Sequence, residues 1–77
     1  MQAALLSELK TGQTGRILKL AAKGADRQRL LVMGLVRGER IEVVRVAPLG
    51  DPVEYQIKGY RLSLRKREAQ LVLVEVQ

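Results

Sequence analysis

The 77-residue chain has no cysteine, histidine, tryptophan or phenylalanine. Without cysteine no disulfide can staple the fold, which argues against a small secreted scaffold and fits a reducing compartment. Without cysteine and histidine there is no thiolate nucleophile, no imidazole base, and no zinc or iron–sulfur ligation of the usual kind. Long apolar runs are also missing. Leu71–Val74 has the length of a strand, far below the ~18 apolar residues of a membrane-spanning helix. The amino end, Met1 to Leu6, lacks a basic flank, and Glu8 cuts it short, unlike a secretory signal. The expectation is a soluble cytoplasmic chain with no direct membrane insertion.

What is present is aliphatic and basic. Leu, Val and Ile make up 25 of the 77 residues, enough for one core. A chain this short buries only ~60% or slightly more of its unfolded surface, so a single small domain over residues 1–77 is expected. Fourteen Lys and Arg face eight Asp and Glu, a formal charge of +6 that suits an acidic partner.

The apolar pattern reads as strands around one helix. Ser7-Glu8-Leu9 with Gly12 reads as a short capped turn after an apolar leader. Arg16–Leu20 reads as a first strand, broken by Gly24. Asp26 is placed as N-cap of a helix running to about Met33, with Leu30, Leu31 and Met33 as its buried stripe. Gly34 stands where a left-handed C-cap is wanted, and Leu35 can fold back on the last turn. Glu39–Ala47 is a strand whose apolar parity shifts between Val43 and Val44, which calls for a bulge, a bend or two-sided burial. Val53, Tyr55 and Ile57 alternate with polar residues, as do Tyr60, Leu62 and Leu64, with Lys58-Gly59 as a two-residue hairpin loop. Both tyrosines fall on the inward parity. One helical turn at Arg67–Ala69 and a strand over Leu71–Val76 complete the set. The architecture expected is mainly β. It is a small SH3-like, five-stranded, partly open barrel with one short helix between the first and second strands, whose closure removes exposed edges.

Catalytic chemistry finds little support. Ser7, Thr11, Thr14 and Ser63 have no base to activate them, and the carboxylates of Asp26, Glu39, Glu42, Asp51, Glu54 and Glu68 are scattered without an acid–base pair. Asp51 lies alone between Gly50 and Pro52, and the thioethers of Met1 and Met33 are isolated, so no metal site and no cofactor are expected. Gly12-Gln13-Thr14-Gly15-Arg16 lacks the glycine spacing and the Lys of a phosphate loop and reads as a turn feeding a strand.

The basic residues fall into two groups. One runs from Arg61 through Arg65, Lys66 and Arg67. The other, Arg27, Arg29, Arg37, Arg40 and Arg45, surrounds the helix and second strand, with Glu39, Glu42 and Glu68 as ion-pair partners. Charge without exposed aromatic platforms gives only salt-sensitive, sequence-blind affinity for nucleic acid, which is the lesser alternative here. The most distinctive segment is Ala47-Pro48-Leu49-Gly50-Asp51-Pro52. Two prolines stiffen it, and it either presents Leu49 at its tip as a low-entropy anchor or tucks that side chain inward.

Read together, Arg29-Leu30-Leu31-Val32-Met33-Gly34-Leu35, Gly38, Ala47-Pro48-Leu49-Gly50-Asp51-Pro52, and Gly59 to Arg65 with Glu68-Ala69 resemble the FeoA family, from about Leu6 to Val76. Thr11 and Arg37 stand where that family commonly has proline, both at turns. The resemblance implies an SH3-like barrel and a non-enzymatic regulatory role in bacterial ferrous iron uptake, beside the FeoB permease and its cytoplasmic GTP-binding domain. Similar domains also occur at the end of iron-dependent repressors. A link to iron does not require this chain to hold iron, and a weak transition-metal association is the most it implies. With no small-molecule substrate in view and the oligomeric state open, the candidate partner-binding residues are Arg27, Arg29, Leu35, Val36, Arg37, Pro48, Leu49, Gly50, Asp51 and Pro52.

Overall fold

The period-two segments pair as strands in a computed structural model that describes residues 2–77. Met1, set aside above as a ligand, lies outside the described residues. In chain order the elements are β1 (Gln2–Leu5), a 3-10 turn (Leu6–Glu8), β2 (Thr14–Leu20), α1 (Gly24–Val32), β3 (Arg40–Val46), β4 (Val53–Ile57), β5 (Tyr60–Leu64), α2 (Lys66–Ala69) and β6 (Val72–Val76). All neighbouring strands are antiparallel in one sheet of order β1-β6-β2-β3-β4-β5.

The mainly-β expectation holds, and the sheet carries six strands rather than five. The added one is the apolar leader. Gln2–Leu5 has no strand pattern of its own and becomes a strand by pairing with β6, from Gln2 opposite Val76 to Leu5 opposite Leu73. The sheet is open as the partly open barrel allows, with β1 and β5 each paired on one side only.

Alternation carries one face of each inner strand into the core. Ile17, Ile41, Val43, Tyr55, Ile57, Leu64, Val72 and Val74 are essentially inaccessible, while Glu54 and Gln56 between them are half-exposed. Leu6 from the 3-10 turn and Leu30 from α1 join the same core, each fully buried. Truncating a residue such as Leu30 to alanine would cost about 2–5 kcal/mol, transfer and cavity terms together. The parity shift in β3 is a bulge. Val43 faces Tyr55 and Arg45 faces Glu54, which leaves Val44 as the extra residue. A second bulge, at Leu18, falls between Ile17 and Lys19 on β2.

Three turns fix the connections. Lys58 (φ +40°) and Gly59 (φ +79°) form the two-residue hairpin loop with both central residues left-handed, the twist that suits a β-hairpin. α1 opens at Gly24 (φ +58°), two residues before the cap expected at Asp26, and no side chain caps it. Asp26 sits instead in the first turn, where a carboxylate meets the positive end of the helix dipole. The far end of α1 closes as expected. The Gly34 N–H bonds the Leu31 carbonyl at 2.9 Å and the Leu35 N–H bonds the Leu30 carbonyl at 3.1 Å, a Schellman pair.

Candidate partner-docking site

The ten candidate residues fall on two structures, α1 with the turn after it and the loop between β3 and β4, which leave β3 from opposite ends. Within α1, Arg27 and Arg29 part company, because residues two apart on a helix face different directions. Arg29 turns toward α2 and its guanidinium pairs with the carboxylate of Glu68. The other Glu68 oxygen accepts the Arg65 N–H at 2.9 Å, so this buried carboxylate is fully engaged. Arg29 is therefore spent on internal structure and does not offer a free charge. Arg27 turns the other way and lines a groove of about 220 Å³ together with Leu35, Val36 and Arg37.

Leu35 requires a correction. It is fully buried in the core, where the Schellman geometry folds it against Leu30, so it forms the floor of that groove and cannot serve as a direct contact. Val36, 39% exposed, and Arg37 are the residues its turn presents.

In the loop, Pro48 and Leu49 occupy the centre of a β-turn closed by the Gly50 N–H on the Ala47 carbonyl at 2.7 Å. The base is closed by the Ala47 N–H on the Pro52 carbonyl at 3.1 Å. Asp51 Oδ1 then accepts the Lys66 N–H at 2.9 Å, which ties the loop to the first residue of α2. Pro48, Asp51 and Pro52 are exposed, Gly50 is half-buried, and the Leu49 side chain stands 97% exposed at the tip, not tucked inward. The loop and α1 thus both bond α2, one at Lys66 and the other at Glu68.

Several residues at these surfaces escaped sequence reasoning. Val32 is 77% exposed and joins Ala25, Gln28, Arg29 and Met33 around a shallow hollow of about 580 Å³ on the outer face of α1. The spacing of those residues is that of one helix face, and that periodicity was the available signal. Leu18 and Lys19 line the Arg27 groove; the apolar parity shift between Ile17 and Leu18 was the available signal for the bulge that places them there.

The electrostatics are uneven. Glu39 takes Lys58 at 3.0 Å and Glu54 takes Arg45 at 4.0 Å, while among the described residues Glu42 pairs with nothing. Tyr60, expected inward, is 44% exposed at the start of the edge strand β5, which has a neighbour on one side only. Its hydroxyl donates to the Met33 carbonyl, which holds the ring against Gly34 rather than free for stacking. Tyr55 is buried as expected, and that burial pushes its hydroxyl pKa up to about 12. Among the described residues no three carboxylates converge as a metal site would need. No helix there is long and apolar enough to cross a membrane.

The FeoA domain family matches residues 4–76. The chain belongs to the FeoA family. A curated relative is the Fe(2+) transport protein A/Fe(2+) transporter FeoB fusion protein of Porphyromonas gingivalis, 46% identical over 92% of this chain. This chain spans 8% of that relative's length. Among solved structures, FeoA of Chlorobium tepidum is 44% identical with a TM-score of 0.87, covering 95% of this chain and 70% of its own. FeoA of Stenotrophomonas maltophilia, complexed with zinc and described as a procaryotic SH3 domain protein, is 30% identical with a TM-score of 0.80, covering 97% of this chain and 91% of its own. This FeoA-family chain therefore has the SH3-like fold expected of it, with the added strand β1.

Proposed function

We propose that this chain is a non-enzymatic accessory protein of ferrous iron transport that docks on the cytoplasmic GTP-binding part of a FeoB-type permease and adjusts its activity. The observation that carries the reading is the Porphyromonas gingivalis fusion, in which transport protein A and FeoB share one polypeptide. Tethering keeps two partners at high effective concentration, an arrangement that suits modules that act on each other. The Stenotrophomonas relative is described as a candidate activating factor for ferrous iron transport, which agrees. The chain's own geometry supports docking. Leu49 is an apolar side chain held out by a doubly closed, α2-anchored loop, so ordering it on a partner costs little conformational entropy. Iron is the cargo of such a system, and the reading asks for no metal on this chain.

Co-purification with the full-length permease tests it. The wild-type chain is retained, and Leu49→Asp is lost while its unfolding free energy stays within about 0.5 kcal/mol of wild type, as expected for a fully solvated side chain. Failure of the wild-type chain to bind would remove the reading. Equal retention of the variant would remove the loop from it. The +6 charge favours one competitor, a nucleic-acid-binding barrel. A gel shift across a salt series decides against it if no complex forms at low salt.

A further inference from the structure

The three cations at the groove behind α1 share their lack of an ion pair with Lys10, Lys23, Arg40, Arg65, Lys66 and Arg67 among the described residues, and are set apart by lining one hollow together. Arg29, Arg45 and Lys58 each meet a carboxylate, and Arg16 donates to the Gly38 carbonyl at 2.8 Å. Lys19, Arg27 and Arg37 form no ion pair among the described residues, although they converge on one groove whose lining includes no carboxylate. Three like charges facing one hollow repel each other and are stabilised only by water or by an anionic partner.

The groove floor is apolar. Leu18 and Leu31 are half-buried there, and Val36 is a partly exposed aliphatic at the rim. The walls are fixed. The Leu18 bulge breaks the alternation of β2 so that consecutive side chains, Leu18 and Lys19, both reach the groove instead of pointing to opposite faces. The turn carrying Val36 and Arg37 is stitched to β2 by the Ile17 N–H on the Glu39 carbonyl at 2.9 Å and the Gly38 N–H on the Ile17 carbonyl at 2.8 Å. A preformed apolar slot rimmed by unpaired cations suits an aliphatic side chain with carboxylates on either side. It does not suit a nucleobase, because no aromatic ring lines it for stacking.

We propose that this groove receives an acidic segment of a partner protein, with an aliphatic side chain seated over Leu18, Leu31 and Val36 and its flanking carboxylates meeting Lys19, Arg27 and Arg37. The assignment rests on the docking reading above and names the chemistry of the partner's side. It gives this face a different part from Leu49, with charge setting encounter and register here and an apolar tip anchoring there.

Two measurements test it separately from that reading. In the first, the full chain is titrated, with backbone amide resonances observed, with a synthetic peptide bearing one leucine between glutamates, with its lysine-substituted counterpart, and with oligothymidine. The glutamate peptide moves the resonances of Lys19, Val36 and Arg37, and the other two probes do not. The double variant Arg27→Glu/Arg37→Glu, whose exposed positions leave the fold intact by its spectrum, weakens peptide binding by about tenfold or more. Arg27→Gln/Arg37→Gln falls between it and wild type. In the second, the same variants are tested against the full-length permease at low and high salt. Loss of retention in the double variant at low salt extends the assignment to that partner. Peptide binding without permease binding by the wild type leaves the groove assigned and removes the docking reading. The groove assignment is overturned if the peptide leaves these resonances unmoved, if the charge-reversed variant binds it as wild type does, or if oligothymidine binds there in its place.

Discussion

Replacing Gly34 with alanine probes the joint between α1 and the β4–β5 hairpin. Gly34 has φ +95°, a conformation that costs an L-residue about 1–2 kcal/mol. A methyl group there would also overlap the Tyr60 hydroxyl, while the ring carbon behind it, Cζ, lies an acceptable 3.5 Å away. The hydroxyl must therefore move, and its hydrogen bond to the Met33 carbonyl is lost, a further ~1 kcal/mol. Gly34→Ala should destabilise the protein by roughly 2–3 kcal/mol. For a chain of this size that lowers the melting temperature by roughly 10–20 °C. The two contributions separate in a double-mutant cycle read by urea unfolding. Tyr60→Phe alone costs about 1 kcal/mol, the hydrogen bond. In the Phe background Gly34→Ala meets only the ring and should cost the backbone term alone, so the cycle shows a coupling of about 1 kcal/mol. Additivity within about 0.3–0.5 kcal/mol would refute the claim that the tyrosine hydroxyl is what the methyl group meets.

Glu68→Ala removes both the Arg29 ion pair and the acceptor of the Arg65 N–H, and should cost about 1–3 kcal/mol in urea unfolding; a loss below about 0.5 kcal/mol would show the pair to be idle. Asp51→Ala should cost about 1 kcal/mol and speed hydrogen exchange at the Lys66 amide, and unchanged exchange there would count against the loop's anchoring to α2. Burial holds the Tyr55 proton on in the folded chain up to about pH 12, while the unfolded chain releases it near 10. Stability is then intact below pH 10 and falls as pH rises from 10 toward 12, because the unfolded state binds fewer protons there. Tyr55→Phe should remove that share of the alkaline loss in unfolding at pH values on either side of 10, and an identical slope in the variant would contradict the assignment.

Much of this fold is legible where a local rule has no competitor. Gly34 followed by Leu35 reads as a helix end because few residues other than glycine take that φ and because a following leucine needs somewhere to be buried. Lys58-Gly59 between two alternating runs reads as a hairpin, and the Val43–Val44 parity shift as a bulge, for equally local reasons. Two of the three failures are non-local. Gln2–Leu5 is mostly exposed and becomes a strand only because β6 offers it a partner. Asp26 has a cap's chemistry, but the helix already begins at Gly24, which places Asp26 inside the first turn. Tyr60 keeps the inward parity of Leu64, yet it opens an edge strand that has a neighbour on one side only and stays 44% exposed.

The candidate surfaces divide in the same way. The Pro48–Pro52 loop is stiff by composition, but composition leaves Leu49 free to point either way, and the structure holds it 97% exposed. Which arginine is free and which is spent depends on Glu68, 39 residues along the chain from Arg29, and no spacing rule reaches so far. Lys19 looks like any outward strand residue until the Leu18 bulge sets it beside Arg27 and Arg37.

The joined bonds from Asp51 to Lys66 and from Glu68 to Arg29 have a mechanical consequence. Two side-chain links, with a single short turn of helix between them, connect the Leu49 loop to α1. A partner that grips Leu49 therefore cannot bend the tip to suit itself without also shifting α1. It must match the spacing between the two as the protein presents it, or strain both ends at once.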